Sequence, residues 1–246
     1  GIAELNIKPH IRGVFCLCSP IHIVGLFFVD LRMCGRYVNT KKIVDIERKF
    51  NIDSEYTDEL SINPSYNISP TQYSPVIVQN TTKRIIKDMH WGLIPSWSKD
   101  KKFSSNLINA RLETIKEKPS FKNLVNANRC IVIANGYYEW TQTDNGKQPF
   151  FIHNNDQFLP MAGLWTQWRD ITSFTIITKS ADPSIKTIHH RMPLILNDNS
   201  IESYLDHNIS FDQSYKISES LFKYHKVAMM VNSPVNNNAS CIDPLL

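Results

Sequence analysis

The stretch YYEWTQTDNGKQPFFIH, residues 137–153, sets the fold class. Two runs rich in aromatic and β-branched residues, 137–143 and 148–153, flank Asp144-Asn145-Gly146 and read as strands. Asn-Gly tolerates the positive φ angles of a tight reversal, so the two runs are expected to fold back as a hairpin. Working outward, runs of the same character occupy 75–79, 84–91 and 129–134 before it, and 161–168 and 173–178 after it. Helical spacing is scarcer. Ile43, Ile46 and Phe50 recur at near-helical intervals within 41–50, after Asn39 and Thr40 as candidate caps. Shorter helices are expected near 120–126, 182–188 and 201–205. Many strands with scattered short helices predict an α+β fold, a single domain around a curved, barrel-like, mainly antiparallel β-sheet.

The chain has 246 residues, 42% of them hydrophobic, enough for one substantial core. Charged residues at 20% and aromatics at 11% exclude wholesale disorder. A formal net charge of +4 and a pI of about 8.7 are mildly basic, which permits nucleic-acid binding without demanding it. Five cysteines at irregular spacing argue against a disulfide framework and for a reducing, intracellular compartment. Cys16 and Cys18 form a C-x-C pair, but no second pair follows at zinc spacing, so no metal site is expected. Residues 13–29 are almost continuously apolar. Pro20 sits mid-span, which argues against a membrane helix, and Asp30-Leu31-Arg32 is a poor signal-peptide cleavage site.

Four segments crowd reactive, cationic and aromatic residues together: Met33-Cys34-Gly35-Arg36-Tyr37, the run 108–114 around Asn109 and Arg111, Gly136-Tyr137-Tyr138-Glu139-Trp140, and His189-His190-Arg191-Met192-Pro193. Each also has a plain structural reading. Free cysteines are commonly small buried residues, so Cys34 fits a core position. Asn109–Arg111 reads equally as a solvated turn, Glu139 and Trp140 as a half-exposed strand end, and His189 as a satisfied structural histidine.

The ordered set is far more specific than any one segment, and it resembles the SRAP (SOS response-associated peptidase) family. The resemblance is carried by Met-Cys-Gly-Arg-Tyr at 33–37, Tyr-Asn-Ile-Ser-Pro-Thr-Gln at 66–72, Trp-Gly-Leu-Ile-Pro-Ser-Trp at 91–97 and Asn-Ala-Arg-x-Glu-Thr at 109–114. It continues through Arg129-Cys130, Gly136-x-Tyr138-Glu139-Trp140, Ala162-Gly163-Leu164-Trp165 and His189-x-Arg191-Met192-Pro193.

What the resemblance implies is a protein that captures abasic sites in single-stranded DNA covalently. In the family the initiator Met is lost and the next residue, a cysteine, becomes residue one, carrying both an α-amine and a thiol. A ring-opened abasic site is an aldehyde; the amine forms an imine with it and the thiol closes a thiazolidine ring. A free α-amine titrates at about 7.7–8.0 and a thiol at about 8.5, so both have usable deprotonated fractions near neutral pH. Carried over residue by residue, Cys34 is the nucleophile, Glu139 the acid/base, His189 the proton shuttle at the sugar ring oxygen, and Asn109 the group that holds cysteine and substrate. Arg36 and Arg111 resemble phosphate clamps. Pro70, Trp97 and Trp140 are expected against the DNA, with Trp140 stacking on or wedging a base beside the lesion. No cofactor is implied. The partner is single-stranded DNA containing abasic sites, for a monomer with a cytoplasmic, nucleoid-associated location and no membrane attachment once mature.

One departure stands out. Cys34 is preceded by 33 residues, and an amide nitrogen cannot form an imine. Residues 1–32 are therefore expected to be a non-native or cleaved N-terminal extension, ahead of a SRAP domain over 33–246. Two other functions compete. One is a cysteine peptidase, with Cys34 as nucleophile, His189 as base and Asn109 or Glu139 as orienter, acting mainly in self-processing. The other is a non-covalent single-strand-binding module using Arg36, Arg111, Trp97 and Trp140.

Overall fold

A computed structural model describes residues 34–53, 62–80, 83–144, 146–155, 157–217 and 222–245. The expectations for 1–32 and for Asn145 in the hairpin turn lie outside the described residues. In chain order the elements are β1 (Tyr37–Asn39), α1 (Ile43–Phe50), β2 (Ser65–Ile68), β3 (Tyr73–Asn80), β4 (Lys83–Trp91), β5 (Asn109–Arg111) and β6 (Arg129–Val132). Then follow β7 (Gly136–Thr143), β8 (Gly146–His153), β9 (Met161–Trp168), β10 (Ile171–Ser180), β11 (Arg191–Pro193), α2 (Asp198–Leu205) and β12 (Lys223–Lys226).

Two sheets result. Strands β10, β4, β3, β6 and β9 pair in that order, and β9 pairs back onto β10, which closes a five-stranded barrel. The β10–β4 seam is parallel, as is the pairing of β5 with β10; every other pairing is antiparallel. The second sheet is antiparallel, in the order β12-β8-β7-β1-β2. The hairpin read from 137–153 is its centre, running from Gly136↔His153 to Thr143↔Gly146.

Strand alternation explains why the barrel strands are apolar on both faces. Val76 and Val78 of β3 and Cys130 and Val132 of β6 join one cluster with Tyr37, Tyr137 and Ile152 of the second sheet. Ile77 and Ile131 point the other way and join Ile46 and Phe50 of α1 with Ile201, Tyr204 and Leu205 of α2. With both faces covered, period-2 polarity disappears and continuous Val/Ile runs remain. Trp91 and Phe174, fully buried and stacked across the β4–β10 seam, anchor the first cluster. Immediately after Trp91, Gly92 takes φ +120°, and a Cβ there would collide with the Ser104 carbonyl.

Two expected helices are not helices. Segments 120–126 and 182–188 form consecutive turns. In 182–188 the bonds are local, Ile185 N–H and Lys186 N–H to the Asp182 carbonyl and Ile188 N–H to Ile185, without a continuous ladder. β-branched Ile185, Thr187 and Ile188 disfavour propagation there. The helix expected over 41–50 starts instead at Ile43, with Lys42 as N-cap and no side-chain cap; Asn39 belongs to β1. Asn51 ends it in the left-handed region at φ 52°, a common role for Asn. Among the described residues no helix is long and apolar enough to cross a membrane.

Candidate active site

Cys34 lies just before β1, fully buried, in the left-handed region at φ 45°. For a residue with a Cβ this backbone costs roughly 1–2 kcal/mol, so its surroundings must hold it there. They do so through β7. The Cys34 N–H donates to Glu139 Oε1 at 2.8 Å, and Tyr138 N–H donates to the Arg36 carbonyl at 2.9 Å. Tyr37 pairs directly with Tyr137.

Glu139 is 2% exposed, a carboxyl inside an apolar wall. Burial pushes its pKa up to about 8, against the opposing pull of the Cys34 and Trp140 N–H groups. Near neutral pH this side chain therefore carries its proton much of the time. Burial, followed by the proximity of Glu139, likewise pushes the Cys34 thiol well above its ordinary value.

His189 lies near the same carboxyl oxygen. Its Nδ1 lies 3.9 Å from Glu139 Oε1 and 3.2 Å from both the N–H and the carbonyl of Arg191. Burial, aided by His190 and Arg191, lowers its pKa and favours the neutral ring. Three ties fix the loop that carries it. Thr141 Oγ1 on β7 donates to the Ile188 carbonyl at 2.9 Å. Strand β11 pairs with the end of β10, Arg191 opposite Ser180. Arg191 also forks onto Glu113, Nη1 to Oε1 at 2.6 Å and Nη2 to Oε2 at 2.8 Å, and reaches the Thr178 carbonyl at 2.6 Å. That planar, two-pronged contact suits guanidinium and carboxylate. It joins the His189 loop to the turn following β5.

Cys34, Glu139 and His189 thus converge. Asn109 stands half-buried on β5 opposite Ile176 of β10, and Arg111 stands exposed two residues on, opposite Thr178. This segment is a strand and not the solvated turn that its composition equally allowed. Arg36 is half-buried, and its Nη1 donates to Asn67 Oδ1 at 2.7 Å and to the Val231 carbonyl at 2.8 Å. Trp140, also half-buried, donates from Nε1 to Asn232 Oδ1 at 2.7 Å. The turn at 229–232 therefore grips both residues. Pro70 is half-buried in the turn between β2 and β3, and Trp97 is 58% exposed.

Sequence reasoning missed the supports Thr141, Val231 and Asn232, and it gave no role to Asn67 or to Tyr137, which lines the same face of β7 as Glu139. Their contacts run between distant segments, so no local spacing announces them. Glu113 and Arg191 stood inside the quoted segments, but only the fold shows that they pair. Among the described residues no group of three His, Cys, Asp or Glu side chains is placed to hold a metal ion.

A closed barrel flanked by an antiparallel sheet, with a cysteine held against a buried glutamate just before the first strand, defines a class. The profile of the SOS response associated peptidase (SRAP) family matches residues 33–238, and the chain belongs to that family. It is 35% identical over 225 residues to the abasic site processing protein YoqW of Bacillus subtilis, covering 86% of this chain and 99% of that one. The abasic site processing protein HMCES of Gallus gallus is 33% identical over 233 residues, covering 78% of this chain and 69% of that one. A crystal structure of a Bacteroides thetaiotaomicron protein superposes with a TM-score of 0.74 at 25% identity, covering 87% of this chain and all of the other.

Proposed function

We propose that this protein forms a covalent thiazolidine crosslink between an N-terminal Cys34 and abasic sites in single-stranded DNA. The observation that carries the reading is the 2.8 Å contact from the Cys34 nitrogen to Glu139 Oε1. When Cys34 is the first residue, the donor at that position is an α-amine. Glu139 then stands where a proton must be moved. The relatives named abasic site processing proteins support the same substrate.

The chemistry balances without a redox partner. The amine nitrogen attacks the aldehyde carbon, and Glu139 in its protonated form gives a proton to the departing hydroxyl as the carbinolamine loses water. The resulting carboxylate accepts the proton shed by nitrogen. The Cys34 sulfur then adds to the imine carbon, the π pair moves to nitrogen, and the thiol proton ends there. The sum is one aldehyde and one aminothiol giving a thiazolidine and one water. His189, kept neutral, acts at the sugar ring oxygen during opening. Asn109 holds cysteine and sugar, Arg36 and Arg111 take phosphates, and Pro70, Trp97 and Trp140 receive the flanking bases.

This reading requires that the Met33–Cys34 bond be absent, so residues 1–32 are a non-native or removed extension. The left-handed torsion at Cys34 points the same way. Its φ is defined by the preceding carbonyl carbon, so a chain starting at Cys34 carries no such strain. A general peptidase fits less well, because a thiol pushed upward by burial is the reverse of the depressed thiolate such an enzyme uses.

The test is to incubate protein beginning at Cys34 with abasic single-stranded DNA and a model peptide, then run a denaturing gel. A retained DNA adduct is expected. Peptide cleavage without an adduct would transfer the site to peptidase chemistry, and neither product would leave a non-covalent binding module.

A further inference from the structure

Among the described residues four tyrosines are almost completely buried: Tyr37, Tyr137, Tyr138 and Tyr204. Three have a hydroxyl partner. Tyr37 donates to Ser74 Oγ at 2.6 Å, Tyr138 to the Tyr66 carbonyl at 2.7 Å and Tyr204 to the Gly163 carbonyl at 2.8 Å. The Tyr137 hydroxyl, in a fully buried side chain, has no hydrogen-bond partner among the described residues. A buried hydroxyl left unpaired costs stability, and Phe would fill nearly the same space without that cost. The exception therefore calls for a ligand or a reaction that uses the group.

Its position identifies the reaction. Residues two apart on a strand share a face, so Tyr137 and Glu139 project from β7 on the same side. Tyr137 packs in one cluster with Cys34 and Tyr37. Burial holds its phenol firmly protonated, and the neighbouring Cys34 and Glu139 add to that effect. Cys34 presents the complementary need, because burial makes its thiolate poorly stabilised.

We propose that the Tyr137 hydroxyl is a further catalytic group of this site, donating a hydrogen bond to the Cys34 sulfur as the thiol proton leaves during ring closure. The inference rests on the crosslinking reading above. The phenol keeps its proton throughout. As the S–C bond forms, the imine π pair moves to nitrogen, and the proton released from sulfur reaches that nitrogen through Glu139. Imine formation precedes this step and does not use Tyr137.

Tyr137→Phe, in protein beginning at Cys34, isolates the hydroxyl. At saturating abasic DNA, single-turnover closure to the stable adduct is expected to slow on the order of 100-fold, the scale of losing one preorganised donor. Affinity for intact single-stranded DNA should not change. The thermal midpoint should hold or rise, because a lone buried hydroxyl has been removed. Borohydride should trap more imine than in the wild type, since closure slows while imine formation does not. A purely structural role would not move that readout. 4-Fluorophenylalanine at position 137 fills the hydroxyl volume without donating and should behave as Phe does. Wild-type closure rates with no added trapping in either variant overturn the role of Tyr137 while leaving the crosslinking reading standing. A wild-type protein that gives no adduct overturns both.

Discussion

Cys34 and Glu139, 105 positions apart in sequence, meet through a 2.8 Å hydrogen bond from backbone nitrogen to carboxylate inside the protein. The bond exists because β1 lies beside β7 and because Glu139 projects from the β7 face that covers Cys34. A carboxyl so placed gains an N–H partner but loses water, and the loss is larger. The consequences can be measured.

Glu139 should make stability fall with rising pH. Its folded pKa of about 8 lies above an unfolded value near 4.3, so the folded state holds the proton more tightly. Its contribution is fully present below about pH 4 and is lost progressively as pH climbs through 8. In denaturant titrations of the chain with an internal Cys34, wild type minus Glu139→Gln should decline across this window by a few kcal/mol. A difference that stays flat from pH 4 to 9 would show that Glu139 does not hold a displaced proton.

Cys34→Ala should abolish the stable adduct while leaving weak affinity for single-stranded DNA, and Cys34→Ser should also fail, because oxygen closes the ring less readily. Denaturing gels and binding isotherms read the two effects separately. An adduct at wild-type yield from the alanine variant contradicts the assignment.

Arg36 and Arg111 should separate by stability. Arg111 is exposed, so Arg111→Ala should reduce the salt slope of DNA binding by about 1 with little change in thermal midpoint. Arg36 also ties Asn67 to the Val231 carbonyl, so Arg36→Ala should weaken binding and cost about 1–3 kcal/mol of stability as well. Crosslinking at saturating DNA should fall less than affinity in both. Unchanged affinity and salt slope would remove them from the DNA path.

The Glu113–Arg191 fork should matter for rate more than for binding. Glu113→Gln breaks the paired contact that steadies the His189 loop, and opening of the sugar ring should slow while DNA affinity holds. Its stabilising effect depends on a carboxylate whose pKa is depressed, chiefly by Arg191. It is therefore present above the unfolded value near 4.3 and lost as pH falls through the folded one. Wild-type kinetics in the variant would make the fork dispensable.

The long barrel strands were legible because Val, Ile and aromatic residues fill whole runs; the run 161–168 coincides with β9. The strands β1, β5 and β11 were not. Each has three residues, too few to display alternation, and each is held by partners far away in sequence. These short pieces carry or adjoin Cys34, Asn109 and His189, so the site was readable as motifs but not as geometry. The unpaired Tyr137 hydroxyl and the grip of the 229–232 turn on Arg36 and Trp140 depend on contacts that composition does not encode.

The central claim is that the Cys34 nitrogen must be a free amine. Crosslink yield on abasic single-stranded DNA should be compared between the 246-residue chain and protein beginning at Cys34, with each N-terminus verified by intact mass. The account predicts a stable adduct from the protein beginning at Cys34 and none from the chain in which Met33 remains attached. Equal yields from the two would contradict the amine-dependent mechanism and require attachment through the thiol alone or through a lysine.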